Sequence, residues 1–157
     1  MSIEAMKLYT PEEYLALEEK AEYRSEYYRG EIFALAGSSL NHNRIVGNLF
    51  AALRDALKKK PCEVFSNDMR VLVKPSGLYT YPDVVVVCGK IEFDAGRDDT
   101  ITNPVLIVEV LSPATKNYDR GRKFDLYRGL KSLQDYVLVD QRRAHIQCFH
   151  RLDDGTW

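Results

Sequence analysis

Asp83 and Glu109 stand where the pattern around them leaves little room for charge. Asp83 immediately precedes Val84-Val85-Val86-Val87, and Glu109 interrupts the apolar run from Val105 to Leu111. A carboxylate in such a setting costs on the order of several kcal/mol unless it is paired or bound to a cation. Two of them brought together would also repel each other. A hard divalent cation such as Mg2+ removes both difficulties, because it takes oxygen ligands and tolerates carboxylate pairs. The two carboxylates would then lie within one ion's reach, roughly 3–5 Å apart. The structural alternative is an Asp83 touching solvent after Tyr81-Pro82 and a Glu109 paired with an arginine.

His42 falls in the first turn of an expected helix, on the same face as Ile45, Val46 and Leu49. A histidine there is commonly a core or capping residue, but a helix end can face a cleft, where an imidazole could hold a phosphate or a water. Asp68 precedes a strand and reads as an exposed or outer acid. With 22 basic and 23 acidic residues the chain is near neutral, which disfavours strong nonspecific nucleic-acid binding. Local basic surfaces remain available at Lys58-Lys59-Lys60, at Arg142-Arg143 and along Lys116, Arg120, Arg122 and Lys123.

The elements that must carry these residues follow from their punctuation. Thr10-Pro11-Glu12-Glu13 is a helix start, with a hydroxyl cap, Pro in the first turn and acids where the dipole favours them; the helix runs to about Glu19. Tyr23 to Ala36 reads as a hairpin turning at Arg29-Gly30. Ser38-Ser39 caps a longer helix with Ile45, Val46, Leu49, Leu53 and Leu57 on one face, and Pro61 stops it. Strands are expected over Glu63–Lys74, Pro82–Cys88 and Pro104–Leu111, the last two apolar on both faces as central strands are. A helix over Asp119–Leu130, a buried strand over Tyr136–Val139 and an edge strand over Ala144–Phe149 complete the order. The pattern predicts one α/β domain over residues 1–157, a mixed sheet covered by helices in three layers.

Tyr81-Pro82-Asp83 before a valine strand, then Val108-Glu109-Val110-Leu111-Ser112-Pro113, resembles the PD-(D/E)XK nuclease superfamily, and more narrowly its bacterial branch of restriction-endonuclease-like proteins. Glu26-Tyr27-Tyr28-Arg29-Gly30-Glu31, His42, the Tyr118–Phe124 segment and Ser132–Tyr136 extend the resemblance over nearly the whole chain. It implies a restriction-endonuclease-like three-layer α/β/α fold with a central mixed sheet. It also implies a Mg2+-dependent endonuclease hydrolysing DNA, with Mn2+ as a substitute. The metal ligands would be Asp83, Glu109 and the backbone carbonyl of Val110. The signature expects a lysine two residues after the Glu, where this chain has Leu111; the bacterial branch places it on the following helix, at Lys123, with Arg122 as the fallback cation. Superfamily members often add an acid from an N-terminal element, here Glu26 in preference to Glu31 at the turn. Tyr118, Asp119 and Tyr127 are assigned to packing or to the helix start. The missing lysine and the neutral charge support an alternative, a non-catalytic nucleic-acid-binding or regulatory module on the same scaffold. A homodimer is expected by analogy alone.

The remaining features exclude more than they assign. No apolar run approaches the ~20 residues of a membrane span, and the N-terminus lacks the basic flank and apolar stretch of a secretory signal. A cytoplasmic protein is therefore expected. Cys62, Cys88 and Cys148 have no CxxC spacing and read as buried thiols rather than as a disulfide framework. Asp153-Asp154-Gly155-Thr156-Trp157 reads as a turn with a further strand beginning, so the natural chain is expected to continue.

Overall fold

The computed structural model describes residues 5–35 and 37–157; Met1–Glu4 and Ala36, the last residue of the expected hairpin, lie outside them. Helix α1 (Pro11–Glu18) starts on a capping box, with Thr10 and Glu13 each accepting the other's backbone N–H. Strands β1 (Ser25–Tyr28) and β2 (Glu31–Ala34) pair antiparallel. Their two-residue turn has positive φ at both positions, 48° at Arg29 and 88° at Gly30, as a right-twisted hairpin requires. Helix α2 (Leu40–Leu57) is capped by Ser39, whose hydroxyl accepts from the His42 N–H.

The expected strand over 63–74 is two strands. β3 (Cys62–Ser66) and β4 (Arg70–Val73) belong to different sheets, and the chain changes sheet at the Ser66–Met69 turn. Two short strands that the sequence pattern does not reveal, β5 (Leu78–Thr80) and β7 (Thr100–Ile101), flank β4. β6 (Val84–Cys88) and β8 (Leu106–Leu111) are as expected, and β9 (Asp135–Asp140) and β10 (Ile146–His150) follow. The strands form two five-stranded sheets, β2-β1-β5-β4-β7 and β10-β9-β8-β6-β3, each mixing parallel and antiparallel pairs.

The expected helix over 119–130 is broken. α3 (Lys116–Arg120) and α4 (Arg122–Tyr127) meet at Gly121, whose backbone (φ −101°, ψ −96°) leaves the helical region. A Cβ at Gly121 would lie 3.1 Å from the Asn117 carbonyl oxygen, so the break favours glycine.

The mixed α/β class holds, and β8 shows the layering. On one face Val108 and Val110 pack with Val46 of α2, Val84 and Val139. On the other, Ile107 and Leu111 pack with Phe124 and Tyr127 of α4 and with Tyr136. The first sheet carries α1 on its outer face through Tyr14, Leu15, Tyr27, Leu72 and Tyr79. Inward, its Val71 and Ile101 meet Val85 and Val87 of β6.

The reading of three buried thiols is corrected. Cys62 and Cys88 are register partners at the β3–β6 edge and are joined in a disulfide, while Cys148 is exposed on β10. The pairing is between strands far apart in sequence, so spacing alone does not reveal it. Among the described residues no helix is long and apolar enough to cross a membrane.

Candidate active site

Alternation along β8 decides which way its one acid points. Val108 and Val110 take the α2 face, so Glu109 points toward α4. There Tyr127 donates its hydroxyl to Glu109 Oε1 at 2.8 Å, and Lys123 Nζ stands 3.1 Å from the same oxygen. Lys123 also donates to Glu26 Oε1 at 3.0 Å and lies 3.9 Å from Asp119 Oδ1, one turn earlier. Glu26 comes from β1, in the other sheet, and accepts a further bond from the Thr80 hydroxyl of β5. Exposures of 4% for Glu109 and Asp119, 5% for Lys123 and 6% for Glu26 make this a desolvated cluster, in which the pairs count far more than surface ion pairs do.

Asp83 sits just before β6, where the chain has crossed back from the first sheet. Its Oδ1 meets His42 Nε2 at 3.1 Å, and its Oδ2 accepts the Val110 N–H at 2.7 Å. The antiparallel β6–β8 register ends at Val84↔Val108, so Val110 has no β6 partner. In a strand, a residue's N–H and C=O point to the same side. Leu111 points the other way, and its carbonyl accepts from Gln141 beyond the end of β9. The Val110 carbonyl therefore lies on the strand edge that faces Asp83.

Asp83, Glu109, Val110, Lys123, Glu26 and His42 all line one cleft. Every residue that the sequence marks as catalytic or metal-binding is thus brought together. Glu31 and Arg122 do not line it; Arg122 is exposed over the Tyr28 ring. Asp68 is at the rim, exposed and paired with Arg24. Two residues that the sequence pattern assigns to packing or to the helix start also meet the candidate site residues. Asp119 is buried in the cleft, and Tyr127 holds Glu109. The i,i+4 spacing of Asp119 and Lys123 is a usable signal for the first; nothing in the sequence marks the second.

The electrostatics are those of an acid-rich pocket. Burial pushes the Glu109 carboxyl well above the usual carboxylate range, and Lys123 only partly offsets it. Burial also raises Asp119, to about 6. For Lys123, burial opposes the charged form, but Glu109, Glu26 and Asp119 outweigh it, and the ammonium is held well above its ordinary range. The hydrogen bond to Asp83 raises His42 against the opposing effect of burial. Four acids (Asp83, Glu109, Glu26, Asp119) share one lysine and one histidine (Lys123, His42), so acidic groups outnumber their basic partners. That excess and the hard oxygen donors of Asp83 and Glu109 fit the chemistry of a divalent cation. Among the described residues no group of three or more His, Cys, Asp or Glu side chains is arranged to hold a metal, so the fit rests on two carboxylates and the backbone edge.

The chain is similar to known proteins along nearly its whole length. Residues 11–157 match the family model Uma2, described as "Putative restriction endonuclease". The chain is 38% identical over 157 residues to an uncharacterized protein of Synechocystis sp., covering 100% of this chain and 89% of that one. It is 41% identical over 148 residues to a second uncharacterized protein of the same organism, covering 94% and 77%. A crystal structure from Anabaena variabilis, described as "a putative nuclease belonging to DUF820", superposes with a TM-score of 0.68 at 20% identity, over 90% of this chain and 84% of that one.

Proposed function

The chain belongs to the Uma2 family of restriction-endonuclease-like proteins, and from that premise we propose that it is a Mg2+-dependent endonuclease hydrolysing DNA phosphodiester bonds, with Mn2+ able to substitute. The observation that carries this reading is Lys123 Nζ at 3.1 Å from Glu109 Oε1, beside Asp83 in one cleft. It supplies the cation missing at Leu111 from a different element. Asp83, Glu109 and the Val110 carbonyl would hold the metal. A bound divalent ion supplies Lewis acidity toward the phosphoryl oxygens and a water of lowered pKa.

The chain's own residues do the rest. Tyr127 and Lys123 fix the Glu109 carboxylate, and the Val110 N–H and His42 fix that of Asp83. On this reading the buried Lys123 ammonium orients an attacking water or offsets charge building on a phosphoryl oxygen. Glu26 keeps Lys123 charged and aimed.

A second reading, a binding module without turnover, is supported by the same ion pairs. Asp83 and Glu109 already have partners within the protein, His42 and Lys123. Plasmid cleavage in Mg2+ or Mn2+ separates the two. Wild type should nick, and Glu109→Ala and Lys123→Ala should not. Equal behaviour of all three across several substrates would leave the binding module.

A further inference from the structure

A cleft adjoins the acidic one, lined by Lys116, Arg120, Arg142 and Arg143 with Asp140. Ser112, Pro113, Gln141 and Arg142 line both, so the two are continuous, and Arg142 stands at the junction. The basic cleft lies between the turn after β8 and the turn after β9. Asp140 is occupied by Arg143, at 3.0 Å. Lys116, Arg120 and Arg142 have no acidic partner among the described residues. Arg120 lines the cleft, and its buried Nε has no hydrogen-bond partner, so that nitrogen is not held by any protein acceptor among the described residues.

We propose that this cleft holds a backbone phosphate of the DNA strand whose neighbouring phosphodiester faces Asp83 and Glu109. The proposal rests on the nuclease reading for the identity of the strand. A near-neutral chain with an acid-rich site needs local cations to retain a polyanion. Arginine guanidinium groups suit phosphate because they present paired N–H donors. The junction at Arg142 sets the direction: a strand leaving the acidic cleft passes it before reaching Arg120. The cluster Lys58-Lys59-Lys60 lines neither cleft, which makes it a control.

The test is anisotropy of a short labelled duplex, with Ca2+ in place of Mg2+, between about 50 and 200 mM salt. Arg142→Glu and Arg120→Ala should each weaken binding about tenfold, alike for different sequences, and lower the salt slope by about 1 for each phosphate no longer neutralised. Lys59→Ala should bind as wild type does. Arg142 is exposed, so its variant stays informative even if Arg120→Ala melts early. Unchanged affinity and slope in Arg142→Glu, or a wild type that binds no duplex, would overturn the proposal. Plasmid cleavage is scored separately. Metal-dependent cutting with binding indifferent to both variants sinks the cleft and leaves the nuclease. Cleft-dependent binding without cutting does the reverse.

Discussion

Lys123 Nζ stands 3.1 Å from Glu109 Oε1, with each side chain 6% exposed, and so ties helix α4 to the central strand β8. A buried ion pair is poor evidence for net stability, but breaking one side of it is costly. Lys123→Met, which keeps most of the volume, should destabilise the fold by about 3–5 kcal/mol because the carboxylates lose their cation. Adding Glu26→Gln should recover part of that loss in a thermal melt while cleavage stays absent. A single variant that cuts at the wild-type rate would remove Lys123 from the chemistry.

Tyr127 is wholly buried, and burial pushes its phenol well above the ordinary range, so it remains a donor to Glu109 at neutral pH. Tyr127→Phe keeps the ring in the core with Tyr136 and removes the bond to Glu109. Leaving a buried hydrogen-bond partner unsatisfied costs about 1–3 kcal/mol. The melting temperature should fall accordingly, and kcat should drop with little change in KM, since Tyr127 orients Glu109 and is not among the residues lining the cleft. A change confined to KM would contradict that role.

These two residues show how far the sequence reaches. Asp83 and Glu109 are legible because a charge inside a valine run violates the pattern of a covered strand. Lys123 is legible only through resemblance, because a lysine on a helix is ordinary. Tyr127 is not legible, since an aromatic at a helical apolar position reads as packing and it does pack. The same limit governs the fold. β6 and β8 announce themselves by continuous apolar runs, whereas β5 and β7, of three and two residues, are too short to carry a period. The jump between sheets at Asn67-Asp68 and the Cys62–Cys88 pairing depend on tertiary neighbours that no local pattern records.

Metal binding should strengthen as pH rises through about 6, the value to which burial lifts Asp119. Burial lifts Glu109 as well, and a proton on it competes with a cation. At a free metal concentration of 100 times Kd the stabilisation is about 2.7 kcal/mol. The Mn2+-induced rise in melting temperature should therefore be small well below that pH and large well above it. Without metal the sign for Asp119 is opposite. Its folded pKa is above its ordinary 3.8, so its contribution to stability is greatest at low pH and declines as pH rises from 3.8 through about 6. Glu109→Gln should abolish the Mn2+ shift at every pH. A shift that survives it, or that ignores pH, places the ion elsewhere.

The segment that delivers Asp83 is braced from behind. Arg70 of β4 donates to the Tyr81 hydroxyl at 2.9 Å, and Tyr81 donates to Glu18 of α1 at 2.7 Å. Arg70 also bonds Thr100 and lies 3.6 Å from Asp99, which Arg97 grips through two hydrogen bonds at 2.8 Å. Those Arg97 bonds hold the Asp99 carboxyl down at about 2, against some burial. A depressed acid contributes stability above its ordinary 3.8 and loses it as pH falls through about 2. Because the Asp99 side chain is 45% exposed, solvent screens the pair, and its contribution is below about 1 kcal/mol. Asp99→Asn should melt slightly below wild type at neutral pH, and the two melting curves should converge between pH 3.8 and about 2. Arg70 keeps Tyr81 and Thr100 in the variant, so Asp83 stays placed and cleavage at neutral pH should change little. A large loss of cleavage with only a small change in melting would mean that Asp99 governs Asp83 through Arg70.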